Sequence, residues 1–527
     1  MANHRSAISN QKSTIFLYGP SGTGKSTSGR ILAENLNLPF VDLDAEIIRQ
    51  AGMPIPDIFA NEGEAGFRAR ERAALEQFAG SNGVIALGGG ALLNPDSRAL
   101  AESYGPVVCL YAPVETLLAR LRSDTNDRPL LAGDAEARLR ELLALREDHY
   151  ASFPVQLETG RRLAAEVAWE IQILLGLFHV QGMGSPYDVR VEAGGLDMLG
   201  QALSTRGLLP PVGIVTDTNV GKLYLARAKK SLEGNAFPVR KVIIPPGEEY
   251  KTIETVGHIW AGLLEGGMER RSTVVAIGGG VVGDLAGFAA ATFLRGVPWV
   301  AVPTTMLAMV DASLGGKTGA DLPQGKNLVG AFHAPRLVLA DPEVLRSLPE
   351  AELRAGMAEV VKAGVIGDPK LFEMCKDFRS FKNFGSLDAI VKRAMAVKVK
   401  VICDDPFERG FRAALNFGHT VGHAVEFVSR FQLRHGEAVA IGMVVEARMA
   451  ERIGLADSGV AEEISACLRG LRLPTEIPPE LDREAILQTM QVDKKKAGGK
   501  VKFALPVRVG EVQVGVEVGD LGLEIGY

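Results

Sequence analysis

Two groups of residues in this chain have types and spacings that chemistry could use. The first is Gly19-Pro-Ser-Gly-Thr-Gly-Lys25-Ser26-Thr27, a glycine-rich loop between an apolar run and a helical stretch. Gly22 and Gly24 let backbone N–H groups converge on phosphate oxygens. Lys25 adds a point charge toward the β- and γ-phosphates, and the Ser26 hydroxyl, with Thr27 beside it, is placed to ligate Mg²⁺. The pattern calls for ATP or GTP and names no acceptor. The second group is His419, His423 and His435, three of only 8 histidines, together with Glu359. Histidines four apart on one helical face can share a metal, and a carboxylate completes a three-ligand catalytic zinc site with one open position. Spacing alone makes His419 and His423 the ligand pair, while a buried, hydrogen-bonded structural histidine is the competing reading of any one of them.

Two further stretches are ambiguous by themselves. Phe40-Val-Asp42-Leu-Asp44 puts two carboxylates at a strand end, on one face of it by the two-residue alternation. One could hold Mg²⁺ through water and the other bind a hydroxyl, or Asp44 could cap the helix that follows. Ala276-Ile-Gly278-Gly279-Gly280-Val281-Val282-Gly283-Asp284 follows a strand. It would either bring backbone close to a dinucleotide pyrophosphate or form a tight turn ahead of a buried helix.

The elements that must position these residues are legible in outline. Ile15–Tyr18, Phe40–Leu43, Val84–Leu87 and Val107–Tyr111 are short apolar runs between helical stretches, so residues 12–178 form an α/β domain with a parallel sheet flanked by helices on both faces. Gln181-Gly-Met-Gly-Ser-Pro-Tyr187 breaks the periodicity, and 179–187 reads as a linker. Residues 188–341, with strand-like Gly213–Thr216, Val242–Ile244 and Thr273–Ile277, read as a second, nucleotide-binding α/β sheet. From Pro342 to the C-terminus helical spacing prevails, in Pro349–Gly364, Leu387–Cys403, His419–Ser429 and Gly436–Ile453.

A length of 527 residues exceeds what one core usually supports, in agreement with several domains. The net charge of -5 gives no broad electrostatic reason to bind nucleic acid or an anionic membrane. Cys109, Cys375, Cys403 and Cys467 stand far apart without a CxxC pair, which argues against a disulfide framework and suits a reducing cytoplasm. Met1–Lys12 lacks the apolar core of a signal peptide, and Ile171–Val180 is too short to span a bilayer.

The phosphate loop is followed by Gly66-Phe67-Arg68-Ala-Arg70-Glu71, by Gly88-Gly89-Gly90, by Arg128-Pro129-Leu130-Leu131, and by Arg146 with Tyr150. Together these resemble the shikimate kinase family. The resemblance implies that Arg68 and Arg146 clamp the substrate carboxylate, that Asp44 binds shikimate hydroxyls, and that Asp42 supports Mg²⁺. Gly89 and Gly90 would line the pocket, and Arg128 would close over the phosphates from a lid. A phosphate-loop module that binds nucleotide and only regulates its neighbour is the alternative.

The second half carries Leu415-Asn416-Phe417-Gly418-His419-Thr-Val-Gly-His423, His435-Gly436-Glu437, Asp311-Ala-Ser-Leu-Gly-Gly-Lys317 and Gly325-Lys326-Asn327. In order and approximate spacing these are similar to 3-dehydroquinate synthase, from about Tyr187 onward. The family pattern assigns the metal ligands to Glu359, His419 and His435, overriding the spacing argument, and leaves His423 to handle phosphate and protons. It places Arg295, Asp311, Lys317, Lys326, Asn327, Lys362, Arg412, Asn416 and Lys494 around DAHP, a seven-carbon keto-sugar acid phosphate. NAD would lie along Asp217, Asn219, Glu248, Lys251, Gly279, Gly280, Val281, Asp284, Thr304 and Thr305. Zinc or another divalent ion would polarise the hydroxyl carbon and NAD would take and return a hydride, so net redox change is zero. The family also implies a homodimer through this half. Ala312 and Gly319-Ala-Asp321 depart from the residues expected beside the lysine motif. A metal-dependent polyol dehydrogenase, which would release NADH, is the runner-up.

Overall fold

The computed structural model describes residues 14–122, 135–496 and 501–519. The chain divides into two compact units, one ending at Leu175 and one beginning at Gly176.

In the first unit β1 (Ile15–Tyr18), β2 (Phe40–Asp42), β3 (Val84–Ala86), β4 (Val107–Tyr111) and β5 (Val155–Glu158) make a parallel sheet in the order β2-β3-β1-β4-β5. All four residues of β1 are buried, which is why Ile-Phe-Leu-Tyr shows no alternation. The chain adds β2 and β3 on one side of β1 and β4 on the other. The phosphate loop therefore leaves β1 at the point where the winding reverses, the usual place for a ligand crevice in such a sheet. Phe16, Tyr18, Phe67, Leu75, Ile85, Tyr150 and Phe153 belong to one buried cluster that joins the sheet to helices Ile55–Phe78 and Ala135–Ala151.

The second unit opens with β6 (Leu177–Val180) and β7 (Tyr187–Val191), an antiparallel pair. The stretch read as a linker, 179–187, is thus mostly the loop of a β-hairpin, with Gly182 and Gly184 at φ 88 and 84. Turn-forming residues mark a hairpin loop and a tether alike, and periodicity cannot separate the two. β8 (Leu209–Asp217), β9 (Val239–Ile244), β10 (Ser272–Gly278), β11 (Trp299–Pro303) and, beyond a hairpin of β12 (Lys317–Leu322) and β13 (Gly325–Phe332), β14 (Leu337–Ala340) complete a sheet of order β6-β7-β14-β11-β10-β8-β9. All its neighbours except β6 and β7 run parallel.

After Pro342 come helices Glu350–Gly367, Pro369–Lys376, Phe384–Asp404, His419–Val428, His435–Arg452, Val460–Gly470 and Arg483–Lys496. A last hairpin, β15 (Lys502–Arg508) with β16 (Glu511–Glu517), packs Phe503 and Leu505 into the helical core. Among the described residues no helix is long and apolar enough to cross a membrane.

Candidate active sites

In the first unit a cavity of about 510 Å³ is lined by Ser26, Asp42, Asp44, Arg68, Glu71, Gly88, Gly89, Gly90, Arg146 and Tyr150. The two aspartates do not share a strand face as expected. β2 stops at Asp42, whose side chain accepts from Ala45 N at 3.3 Å and caps helix Leu43–Ala51, while Asp44 lies in the first turn of that helix. An extended residue with a short acceptor is the better cap, so Asp42 takes the role that the sequence offered to Asp44.

Arg68 is gripped by Glu71 at 2.6 Å and Glu64 at 3.3 Å. A Cβ on Gly90 would lie 2.5 Å from the Arg68 guanidinium, and one on Gly88 would lie 2.6 Å from Glu71 Oε1, so glycine is what lets the wall come this close. Burial raises the Glu71 carboxyl above its ordinary value against the pull of Arg68, and its Oε1 has no hydrogen-bond partner among the described residues. The Gly89 carbonyl accepts from Tyr150 Oη at 2.7 Å, Tyr18 Oη at 3.2 Å and Arg146 Nη1 at 3.3 Å.

Lys25 donates to the Gly19 and Pro20 carbonyls of its own loop, at 2.7 and 2.9 Å. Gly22 and Gly24 have φ of 84 and 86. Gly24 precedes helix Lys25–Leu36, which carries exposed Ser26 and Thr27 in its first turn. Arg120, which no motif flagged, donates to the Gly22 carbonyl at 3.2 Å and to the Thr159 carbonyl at 2.7 Å, bracing the loop against the end of β5. Arg128 lies outside the described residues.

In the second unit three helices meet with their backbones nearly touching. A Cβ on Gly442 would lie 2.0 Å from Gly418 O, and one on Gly436 would lie 1.9 Å from Ala355 O. These contacts draw helices Glu350–Gly367, His419–Val428 and His435–Arg452 together, and ligand atoms of Glu359, His419 and His435 then fall within 4.8 Å of one another. His419 Nδ1 faces the Phe417 carbonyl at 3.2 Å, and His435 Nδ1 faces Glu426 Oε2 at 3.2 Å. Both partners are acceptors, so each Nδ1 carries the proton and each Nε2 is turned inward.

The two Nε2 atoms stand 3.5 and 3.6 Å from Glu359 Oε1, which has no hydrogen-bond partner among the described residues. Those gaps are long for hydrogen bonds. They suit a tetrahedral divalent ion, whose ligand atoms lie roughly 3.3 Å apart at Zn–N lengths of about 2.0–2.1 Å. The ligand atoms of a second group, His423, Glu426 and His435, also lie within 4.8 Å of one another. Neither group contains both His419 and His423, the pair favoured by spacing; their rings meet edge to face at 5.1 Å. His423 is exposed.

The residues expected along a dinucleotide gather at the carboxyl edge of the large sheet. Asp217 ends β8 and caps the next helix through Asn219 N at 2.7 Å, Glu248 follows β9, and Thr304 and Thr305 follow β11. Gly279 and Gly280 open helix Gly280–Thr292, which carries Val281 and Asp284. Asp284 pairs with buried Lys251 at 2.6 Å. Gly279, Gly280, Asp284, Pro303 and Lys317 line one crevice, and the buried Thr304 Oγ1 beside them lacks a hydrogen-bond partner among the described residues. An open helix N-terminus and an orphaned hydroxyl fit a pyrophosphate-bearing ligand.

Several of the expected substrate-site groups, Lys317, Lys326, Asn416 and Asp311, are held by charged residues that the sequence reading did not single out. Lys317 pairs with Glu408 at 2.6 Å, and Asn416 donates to the same residue at 3.1 Å. Lys326 pairs with Glu426 at 3.3 Å and sits 4.1 Å over the Phe431 ring. Lys251 donates to Asn327 at 2.6 Å, Lys362 pairs with Glu359, and Asp311 meets Lys398 at 2.5 Å. Buried Arg412 donates to the Pro406 carbonyl. Arg295 is exposed on the turn after helix Gly280–Thr292. Lys494 belongs to helix Arg483–Lys496, but its side chain is outside the described ones. Lys398, Glu408 and Glu426 carry no motif signal; only the fold brings them to the site.

Residues 241–355 match the family described as 3-dehydroquinate synthase N-terminal, and residues 356–496 match 3-dehydroquinate synthase C-terminal. Over 351 residues the chain is 44% identical to 3-dehydroquinate synthase of Nostoc punctiforme, covering 66% of this chain and 97% of that protein. The chain belongs to the 3-dehydroquinate synthase family. Residues 21–175 match the shikimate kinase family, so this synthase carries a shikimate kinase domain ahead of it and is a bifunctional shikimate-pathway chain. Among solved structures the synthase part is similar to ValA, a 2-epi-5-epi-valiolone synthase from Streptomyces hygroscopicus with NAD⁺ and Zn²⁺ bound. Identity is 28% over 64% of this chain and 94% of that one, with a TM-score of 0.59. The kinase part is similar to shikimate kinase from Acinetobacter baumannii in complex with shikimate, 42% identical over 32% of this chain and 94% of that one, with a TM-score of 0.30.

Proposed function

We propose that the two sites described above carry out the two reactions of this bifunctional synthase and kinase. The first unit phosphorylates shikimate to shikimate 3-phosphate with ATP and Mg²⁺. The second converts DAHP to 3-dehydroquinate with loss of phosphate, using NAD and zinc or another divalent ion. The observation that carries the synthase reading is the convergence of three lone-pair donors, Glu359 Oε1, His419 Nε2 and His435 Nε2, on one point.

In the kinase cavity Arg68 and Arg146 bind the shikimate carboxylate and Asp44 orients its hydroxyls. Gly22, Gly24, Lys25 and Thr27 hold the nucleotide phosphates; Ser26 and Asp42 hold Mg²⁺. We assign Arg128 to the phosphates as well. In the synthase Glu359, His419 and His435 hold the metal, and the crevice at Gly279, Gly280, Val281 and Thr304 holds the pyrophosphate of NAD. When bound, the metal supplies a Lewis acid for the reacting hydroxyl and NAD a reversible hydride acceptor. Lys317, Lys326, Asn327, Arg412 and Asn416 bind the carboxylate, phosphate and hydroxyls of DAHP, and His423 moves protons at the phosphate. Glu408 and Glu426, paired here with Lys317 and Lys326, hold those cations in place until an anionic substrate takes them over.

Purified protein given DAHP, NAD and Zn²⁺ is expected to release phosphate without net NADH. Given shikimate and ATP it is expected to release ADP. Net NADH from simple polyols would favour a dehydrogenase instead, and ATP binding without shikimate-dependent ADP would make the first unit a silent module. A homodimer through the synthase part, implied by the family, is checked by sedimentation. A cytoplasmic site of action is supported by the four cysteines, all free and three of them buried.

A further inference from the structure

Glu446 is wholly buried, at 0% exposure, on helix His435–Arg452. Its side chain is directed at the N-terminus of the neighbouring helix, His419–Val428. Oε2 accepts from Gly418 N at 2.6 Å and Oε1 accepts from Val421 N at 3.1 Å. These N–H groups flank His419, the first residue of a helix whose own N-cap, Gly418, offers no side-chain acceptor. The first N–H groups of a helix have no partner inside it, and left unmet in a buried setting they would destabilise the turn.

We infer that Glu446 is a positioning residue for the metal centre: its carboxyl takes the place of the missing N-cap and fixes the turn that presents His419. The same helix carries His435 at its first residue and Gly442 against Gly418, so one rod supplies a ligand, the contact surface and the clamp for the second ligand. Glu446 is not one of the residues whose ligand atoms converge within 4.8 Å. Both of its oxygens are used by backbone, and the second bond extends the grip from Gly418 across His419 to Val421. Helix Glu350–Gly367 supplies the third ligand independently, so loss of the clamp should disturb His419 selectively.

The inference rests on the metal reading above, and the test separates the two. Zinc affinity of the full-length parent, E446Q and E446A would be measured by competition with a chromophoric chelator. The absorption spectrum of each Co²⁺-substituted protein and its thermal midpoint would be recorded alongside. E446A is expected to bind zinc about tenfold more weakly, as loss of a ligand-orienting partner typically does, with an altered Co²⁺ ligand-field spectrum. E446Q, which keeps one carbonyl oxygen for one of the two N–H groups, should fall between them. An E446A protein that is less heat-stable but unchanged in zinc affinity and Co²⁺ spectrum would reduce Glu446 to a packing role and overturn the inference alone. If the parent binds no metal that E359Q releases, both readings fall. Should E446A fail to fold, the same comparison on E446Q decides: affinity within twofold of the parent and an unchanged spectrum refute the clamp.

Discussion

At the scale of single residues, His435 is the most instructive. Glu359 and Glu426 flank its ring and, against burial, raise its pKa to about 10, while Glu426 itself is held at about 2, its ion pairs with His435 and Lys326 outweighing burial. His419, with fewer compensating charges, is driven by burial and Lys362 to about 3. A metal-free chain at neutral pH therefore keeps a proton on His435 where a cation would otherwise sit. Binding a divalent ion must expel it, so calorimetry in buffers of different ionisation enthalpy should count about one proton released per site at pH 8. His435, raised from 6.5, stabilises the metal-free fold fully below 6.5 and loses that contribution as pH climbs through about 10. Glu426 contributes above 4.5 and loses its part as pH drops through about 2. In the kinase, G90A would push a methyl into the Arg68 guanidinium. The KM for shikimate should rise about tenfold, the worth of one charge-assisted hydrogen bond, with the KM for ATP unchanged.

Among elements, the helices that carry Glu359, His419 and His435 approach at glycines, and the two histidine-bearing ones also share an apolar cluster that includes Val421, Val425, Ala438 and Ile441. G442A places a methyl 2.0 Å from a backbone oxygen that cannot swing aside. We expect a loss of about 1–3 kcal/mol in the stability of the second unit together with weaker metal binding, read by thermal melts and chelator competition. The runs at Ile15–Tyr18 and Val107–Tyr111 match β1 and β4 residue for residue, because a buried parallel strand needs an unbroken apolar run. β12 and β13 escaped notice because Lys317, Gly325, Lys326 and Asn327 give this polar, glycine-containing hairpin no strand-like apolar pattern. At the two sites, motifs named the charged groups and the glycine-rich loops. Lys398, Glu408, Glu426 and Glu446 went unnamed, since each acts through space on residues 8 to 100 positions away, where no local motif links them.

For the whole molecule, separate cores in the two units predict two calorimetric transitions. Shikimate with ADP should raise only one and NAD with zinc only the other, by about 2.7 kcal/mol at a hundredfold excess over Kd; a single merged transition would contradict this. The synthase product needs two further reactions before it becomes the kinase substrate, so severing the chain between Leu175 and Gly176 should leave flux from DAHP to shikimate 3-phosphate unchanged when the missing enzymes are supplied. The position of that cut matters because β6 begins at Leu177 and hydrogen-bonds to β7 along its whole length. A synthase fragment trimmed at Tyr187, where turn residues invite a boundary, would leave β7 with a bare rim of unanswered amides and carbonyls. Such a fragment is expected to recruit strands from its own copies and come out of solution, whereas one starting at Gly176 keeps its hem sewn.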